Sequence, residues 1–198
     1  MALQDLTSLA FGIEGVFSHQ VAKPLLMPLL AAYAATRGAP KPLIGALLCG
    51  WAGDVLLLSD ADWAFLAGMG CFAAGHVCYL VLFGCRRTSP LLGLVYGAVL
   101  GVTVTALWPG LPADLRIPVA CYSLLLTAMA YRAGSLGVMA GIGGALFLLS
   151  DTLIATGVAD WPQLPAPDFW VMLTYIAAQY LLTEGTLRAM YGERRTTS

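Results

Sequence analysis

Cys49-Gly50-Trp51-Ala52-Gly53-Asp54-Val55-Leu56-Leu57-Leu58 is a run of small and apolar residues with one carboxylate near its end. An Asp costs a few kcal/mol to place in hydrocarbon, so within an apolar span it faces a bundle interior or a polar cavity and marks a functional position. A second stretch repeats the arrangement: Gly143-Gly144-Ala145-Leu146-Phe147-Leu148-Leu149-Ser150-Asp151-Thr152-Leu153. Each aspartate follows a small residue and has a Leu two positions on. These two positions set the reading of everything around them.

The composition supplies the solvent. Of 198 residues, 59% are hydrophobic and only 11% charged, with mean hydropathy +0.80. Soluble domains carry roughly 25% charged residues, so this balance belongs to a polytopic membrane protein. A spanning helix takes roughly 20 residues, which leaves room for about seven or eight crossings in a single all-α bundle, one integral membrane domain over 1–198. The net charge of −1 offers nucleic acid no electrostatic footprint. The five cysteines, Cys49, Cys71, Cys78, Cys85 and Cys121, form no CxxC pair and read as small buried hydrophobes. The N-terminus lacks the basic region of a cleaved secretory signal.

Working outward, residues 2–17 form a short apolar segment below the usual spanning length, a short span or an interfacial helix. Lys23-Pro24 opens a second segment to Thr36. Further spans are expected at Pro42–Ser59, Trp63–Gly84, Leu91–Trp108, Ile117–Tyr131, Leu136–Gly157 and Asp168–Arg188, with a short polar tail at Glu193-Arg194-Arg195. Gly93, Gly97 and Gly101, four apart, predict a seam for close helix packing. If the spans alternate, Arg37, Lys41, Arg86, Arg87, Arg132, Arg188, Arg194 and Arg195 share one side. Only Lys23 and Arg116 face the other, which is otherwise acidic. That bias predicts a cytoplasmic C-terminus.

With this topology, Asp54, Asp151, Tyr122 and Tyr175 come to one level, roughly 7–11 Å below the outer boundary at about 1.5 Å per residue. Lys23 sits at that rim, and His76 and Gln179 lie deeper. One cavity lined by Asp54, Asp151, Tyr122 and Tyr175 is the expectation. The aspartates could instead be a structural polar lock, or serve transport or a proton relay. Chemistry is favoured by two carboxylates at one level, since two such groups in unequal environments can divide acid and base work. The leucines at 148, 149 and 153 make Asp151 the slightly favoured acid, although Asp54 also has leucines beside it. His76, with Tyr79 one turn on, reads equally as a core histidine or a pocket residue. Glu184 with Arg188 reads as an ordinary i,i+4 pair outside the site.

A zinc hydrolase is disfavoured, because two histidines cannot build a three-His site. No metal or other cofactor is expected. The absence of GxSxG, SxxK, P-loop and dinucleotide motifs argues against covalent serine catalysis and nucleotide chemistry.

The ordered set Lys23-Pro24-Leu25, Gly53-Asp54-Val55-Leu56-Leu57, Ala74-Gly75-His76-Val77-Cys78-Tyr79, Gly144 to Asp151, and Tyr175-Ile176-Ala177-Ala178-Gln179 resembles the YhhN-like lysoplasmalogenase family. The resemblance runs from Lys23 to about Leu187. The chain departs from the family in its shorter leading segment and in Gly75, where a bulkier residue is usual. The resemblance implies an eight-span membrane hydrolase that cleaves the vinyl ether bond of alkenyl lysophospholipids. The products would be a fatty aldehyde and glycerophosphocholine or glycerophosphoethanolamine. It implies Asp54 and Asp151 as catalytic residues, with Lys23, His76, Tyr79, Tyr122, Tyr175 and Gln179 around the substrate and Lys23 meeting the phosphate. The partners would be the lysophospholipid substrate and membrane lipids. The location would be the inner membrane of a bacterium or the endoplasmic reticulum of a eukaryote. The competing class is a membrane transporter or lipid-binding protein using the same aspartates.

Overall fold

The computed structural model describes residues 25–59 and 61–196, and every element among them is helical. The leading segment 2–17 and Lys23 lie outside the described residues. The helices are α1 (Leu25–Thr36), α2 (Lys41–Leu56), α3 (Asp62–Phe83), α4 (Pro90–Leu107), α5 (Arg116–Ala133), α6 (Val138–Val158) and α7 (Pro167–Thr196). A 3₁₀ turn, Gly134–Leu136, separates α5 from α6.

Local chemistry explains the joints. At the end of α1, Gly38 takes φ +68°. Its N–H donates to the Ala35 carbonyl at 2.9 Å, and that of Ala39 to the Ala34 carbonyl at 3.0 Å. Together these are a Schellman stop, which needs a left-handed residue that glycine supplies without strain. Pro42 and Pro90 then stand in the first turns of α2 and α4, where a missing N–H costs nothing.

α2 packs on α3, α6 on α7, and α5 against both α3 and α6, while α4 rests mainly on α5. The main core joins Met27 and Ala34 of α1, Leu43 and Leu47 of α2, Tyr79 and Phe83 of α3, Met129 of α5, Phe147 of α6 and Leu182 of α7. The outside is as apolar as the inside: Leu94 of α4 is 71% exposed and Val138 of α6 80%. Water would penalise such a surface, whereas lipid does not. Three helices, Trp63–Phe83, Pro90–Leu107 and Val138–Val158, are long and apolar enough to cross a membrane. This is an integral membrane protein.

Three expectations are corrected. Gly97 and Gly101 have open space where a side chain would stand, and Gly93 meets only the Tyr131 ring. That stripe lies on an outward face, and the tight glycine contacts are on α6 and α7. A Cβ on Gly143 would lie 2.8 Å from the Leu182 nitrogen, and one on Gly144 2.9 Å from the Ala130 Cα. Successive glycines thus let α6 approach two neighbours at once. Second, the polar tail is helical through Thr196, because charge marks an exit from lipid and does not itself stop a helix. Third, no cysteine is fully buried: Cys85 and Cys121 are exposed and the other three half-buried, all as free thiols.

Candidate functional site

Sequence-expected site residues come from five helices. α2 presents Asp54, α3 His76 and Tyr79, α6 Asp151, and α7 Tyr175 and Gln179 one turn apart. α5 adds Tyr122 near its start. Side chains three or four apart share a helix face, so the pairs on α3 and α7 each point one way.

These side chains form two hydrogen-bonded strings, each ending on an aspartate. In the first, Tyr79 Oη donates to Gln179 Oε1 at 2.7 Å. Gln179 Nε2 donates to Tyr175 Oη at 3.3 Å, and Tyr175 Oη donates to Asp54 Oδ2 at 3.0 Å. In the second, His76 Nε2 lies 3.1 Å from Tyr122 Oη, and Tyr122 Oη donates to Asp151 Oδ2. Tyr79, His76, Gln179 and Tyr175 are all buried. A buried polar group left unmatched is expensive, so each string fixes the rotamers of its members as well as its carboxylate.

Aromatic rings fill the space between the strings. Phe147 packs edge-on to His76 at 4.9 Å and to Tyr175 at 5.5 Å between centroids. Phe72 packs edge-on to Tyr175 at 5.9 Å. A Cβ on Gly53 would stand 2.6 Å from the Phe72 ring, so the glycine before Asp54 is what admits that ring.

A cleft enclosing about 780 Å³, open mouth included, lies between α3, α4, α5 and α6. Its wall is mostly apolar, with Met69, Leu100, Leu126, Leu148 and Val158 among the lining residues, and Tyr122 and Asp151 are part of it. Thr127 also lines it, with its buried hydroxyl unpaired. Asp54 and Tyr175 are not in the wall, which corrects the expectation of one cavity lined by all four. The Phe72 ring, itself in the wall, stands against Gly53 and Tyr175 and closes off that side.

Phe72 and Phe147 were not expected in the site from sequence. Their signal was position, since each lies four residues before a site residue, His76 and Asp151 respectively. Glu184 is more than an i,i+4 partner of Arg188, which it meets at 3.7 Å. It also accepts a hydrogen bond from Tyr33 Oη at 2.6 Å and pairs with Arg37 at 3.7 Å, tying the end of α1 to α7 away from the cleft. Among the described residues, no group of three or more His, Cys, Asp or Glu side chains is placed to share a metal ion.

The fold and site define a helical integral membrane protein with two half-buried carboxylates held by tyrosines, one of them opening on an apolar cleft. The model of the YhhN family matches residues 18–186, and the chain belongs to that family. It is 38% identical to a human protein named lysoplasmalogenase TMEM86B over 77% of this chain and 66% of that protein. The pig protein of the same name is 41% identical over 80% of this chain and 69% of its own length. A Mycobacterium tuberculosis protein named lysoplasmalogenase is 30% identical over 84% of this chain and 71% of its own. The chain therefore spans just under two thirds of the human relative's length. No solved structure matches it.

Proposed function

We propose that this protein is a lysoplasmalogenase that hydrolyses the vinyl ether bond of alkenyl lysophospholipids, releasing a fatty aldehyde and glycerophosphocholine or glycerophosphoethanolamine. The relatives' shared name supports the reaction class. The observation that carries the mechanism is the second string: Asp151, tied to Tyr122, opens on an apolar cleft fit for an alkenyl chain.

The chemistry needs an acid, a base and negative charge beside a cation. Protonated Asp151 gives its proton to the alkene carbon remote from the ether oxygen, the one that bears the alkyl chain: the O–H bond breaks, and the C=C π pair forms the new C–H bond. The positive charge that remains is shared between the other alkene carbon and the ether oxygen, an oxocarbenium ion stabilised by nearby carboxylate. Water adds to that carbon and yields its proton to a carboxylate base. The hemiacetal then collapses: its hydroxyl gives up a proton to a carboxylate as the aldehyde C=O forms, and the carbon–oxygen bond to glycerol breaks as the leaving oxygen takes a proton. Paired carboxylates serve oxocarbenium chemistry in glycosidases in the same way, and such acid–base help is worth about 10²–10⁴-fold. Asp54, held by Tyr175 at 3.0 Å, is the second carboxylate. Movement of the Phe72 ring would bring it into contact with the cleft.

The same reading includes an eight-crossing single domain with a cytoplasmic C-terminus, Lys23 at the rim meeting the substrate phosphate, and residence in a bacterial inner membrane or the endoplasmic reticulum. Purified protein given alkenyl and acyl lysophospholipids tests the activity. Fatty aldehyde from the alkenyl lipid, without fatty acid from the acyl lipid, is the expected result. Binding of the alkenyl lipid without turnover would favour a transporter or lipid-binding protein and overturn the proposal.

A further inference from the structure

Tyr122 has one hydroxyl proton and two polar neighbours. That proton goes to Asp151 Oδ2, and a hydroxyl donates only once. The 3.1 Å contact between His76 Nε2 and Tyr122 Oη therefore requires the proton on the histidine side. Nε2 carries the hydrogen and Tyr122 Oη accepts it. The other ring nitrogen agrees: Nδ1 is buried with no hydrogen-bond partner, in a side chain only 1% exposed. A bare lone pair suits that place better than an N–H with nothing to receive it.

The opposite tautomer would reverse the string. With the proton on Nδ1, Nε2 would become an acceptor and draw the Tyr122 proton away from Asp151. The first string solves the same problem with a different group, since the Gln179 amide donates to Tyr175 and Tyr175 donates to Asp54. In both, a tyrosine aimed at an aspartate is held from behind by a buried N–H.

We propose that His76 is a positioning residue, whose Nε2–H fixes the Tyr122 hydroxyl proton on Asp151 Oδ2 and so reserves Oδ1 as the oxygen that carries the transferable proton. The clause about proton transfer rests on the lysoplasmalogenase reading; the tautomer and the direction of the string do not. Tyr122 from α5 bonds Asp151 directly and His76 from α3 stands behind Tyr122, so His76 is the group whose tautomer decides the direction of this string. His76 is thereby moved from the substrate-contacting set to a place behind Tyr122.

Two measurements decide it. Nitrogen-15 NMR of histidine-labelled full-length protein in lipid nanodiscs, with His19→Gln used to assign the second ring, should show His76 protonated at Nε2 and bare at Nδ1. An Nδ1–H ring would overturn the proposal whatever the activity, and this reading needs no variant at position 76. In turnover of an alkenyl lysophospholipid, His76→Leu should lower kcat about 10–100-fold with KM changed less than about twofold. His76→Gln, which can present an N–H where Nε2 stands, should recover at least about tenfold of any hundredfold loss. The His76→Leu/Tyr122→Phe double variant should be no slower than Tyr122→Phe alone, because both act through one hydrogen bond. A raised KM with unchanged kcat would put His76 against the substrate, and additive losses would make it a packing residue; either overturns the proposal. If wild-type protein releases no aldehyde, the hydrolase reading fails while the NMR result still stands or falls alone.

Discussion

Gly185→Ala adds one methyl group where α7 has no room for it. The new Cβ would stand 2.6 Å from the Ala140 backbone nitrogen, 2.8 Å from its Cβ and 2.9 Å from its Cα. Ordinary contact needs about 3.5–4 Å, so α6 and α7 have to part by roughly 1 Å. Two of the opposing atoms are backbone and cannot rotate aside. Overpacking of this kind costs about 1–3 kcal/mol. Replacing a helical Gly by Ala returns up to about 1 kcal/mol of propensity, but Gly97→Ala receives the same return with nothing within 4 Å of its Cβ. The propensity gain cancels between the two variants, which leaves Gly185→Ala about 1–3 kcal/mol less stable than Gly97→Ala. Reversible unfolding by sodium dodecyl sulfate in mixed micelles, followed by circular dichroism, reads that gap. The same displacement stretches the 3.1 Å hydrogen bond from Ser150 Oγ on α6 to the Val171 carbonyl on α7, next to Asp151. Equal unfolding midpoints for the two variants would refute the reasoning.

Tyr175→Phe removes the donor to Asp54 and strands the buried Gln179 Nε2; a loss of about 1–3 kcal/mol is expected in the same unfolding assay, and an unchanged midpoint would contradict the first string. Glu184→Gln should destabilise by about 1–3 kcal/mol, because a 7% exposed carboxylate is held by Tyr33, Arg37 and Arg188. Arg188→Ala, removing a partner 67% exposed, should cost less than about 1 kcal/mol, and a larger cost for Arg188 than for Glu184 would reverse the assignment of the buried hub. For topology, Ser89→Cys and Asp160→Cys in a background free of native cysteines should leave position 160 open to an impermeant thiol reagent on intact cells and position 89 protected. The opposite pattern would invert the protein.

Asp54 and Asp151 were legible because a charge inside an apolar run has few reasons to exist. Their shared depth is an expectation that rests on the constant rise per residue of an α-helix. Which tyrosine serves which aspartate was not, because that depends on how each helix is rotated about its axis. Phe72 escaped notice for a related reason: an aromatic residue in an apolar helix carries the same signal whether it faces lipid, core or cleft. The Gly93, Gly97 and Gly101 stripe shows the converse failure, as small residues four apart make one face whatever that face meets. Gly143, Gly144 and Gly185 do the close packing without such regularity. The extension of α7 past Arg188 was hidden by polarity, which tells where a helix leaves the apolar layer and not where it ends.

The central claim is that Asp54 and Asp151 carry out hydrolysis of a vinyl ether. Its most direct test is the initial rate of fatty aldehyde release from an alkenyl lysophospholipid by purified Asp54→Asn and Asp151→Asn proteins with wild-type unfolding midpoints. Asn keeps the size and accepts the tyrosine hydrogen bond, but it neither donates an acidic proton nor serves as a carboxylate base. Each variant should lose about 10²–10⁴-fold in kcat, with the double variant little slower than the poorer single one. A near-wild-type rate from either well-folded variant would contradict the account and return that aspartate to a structural role.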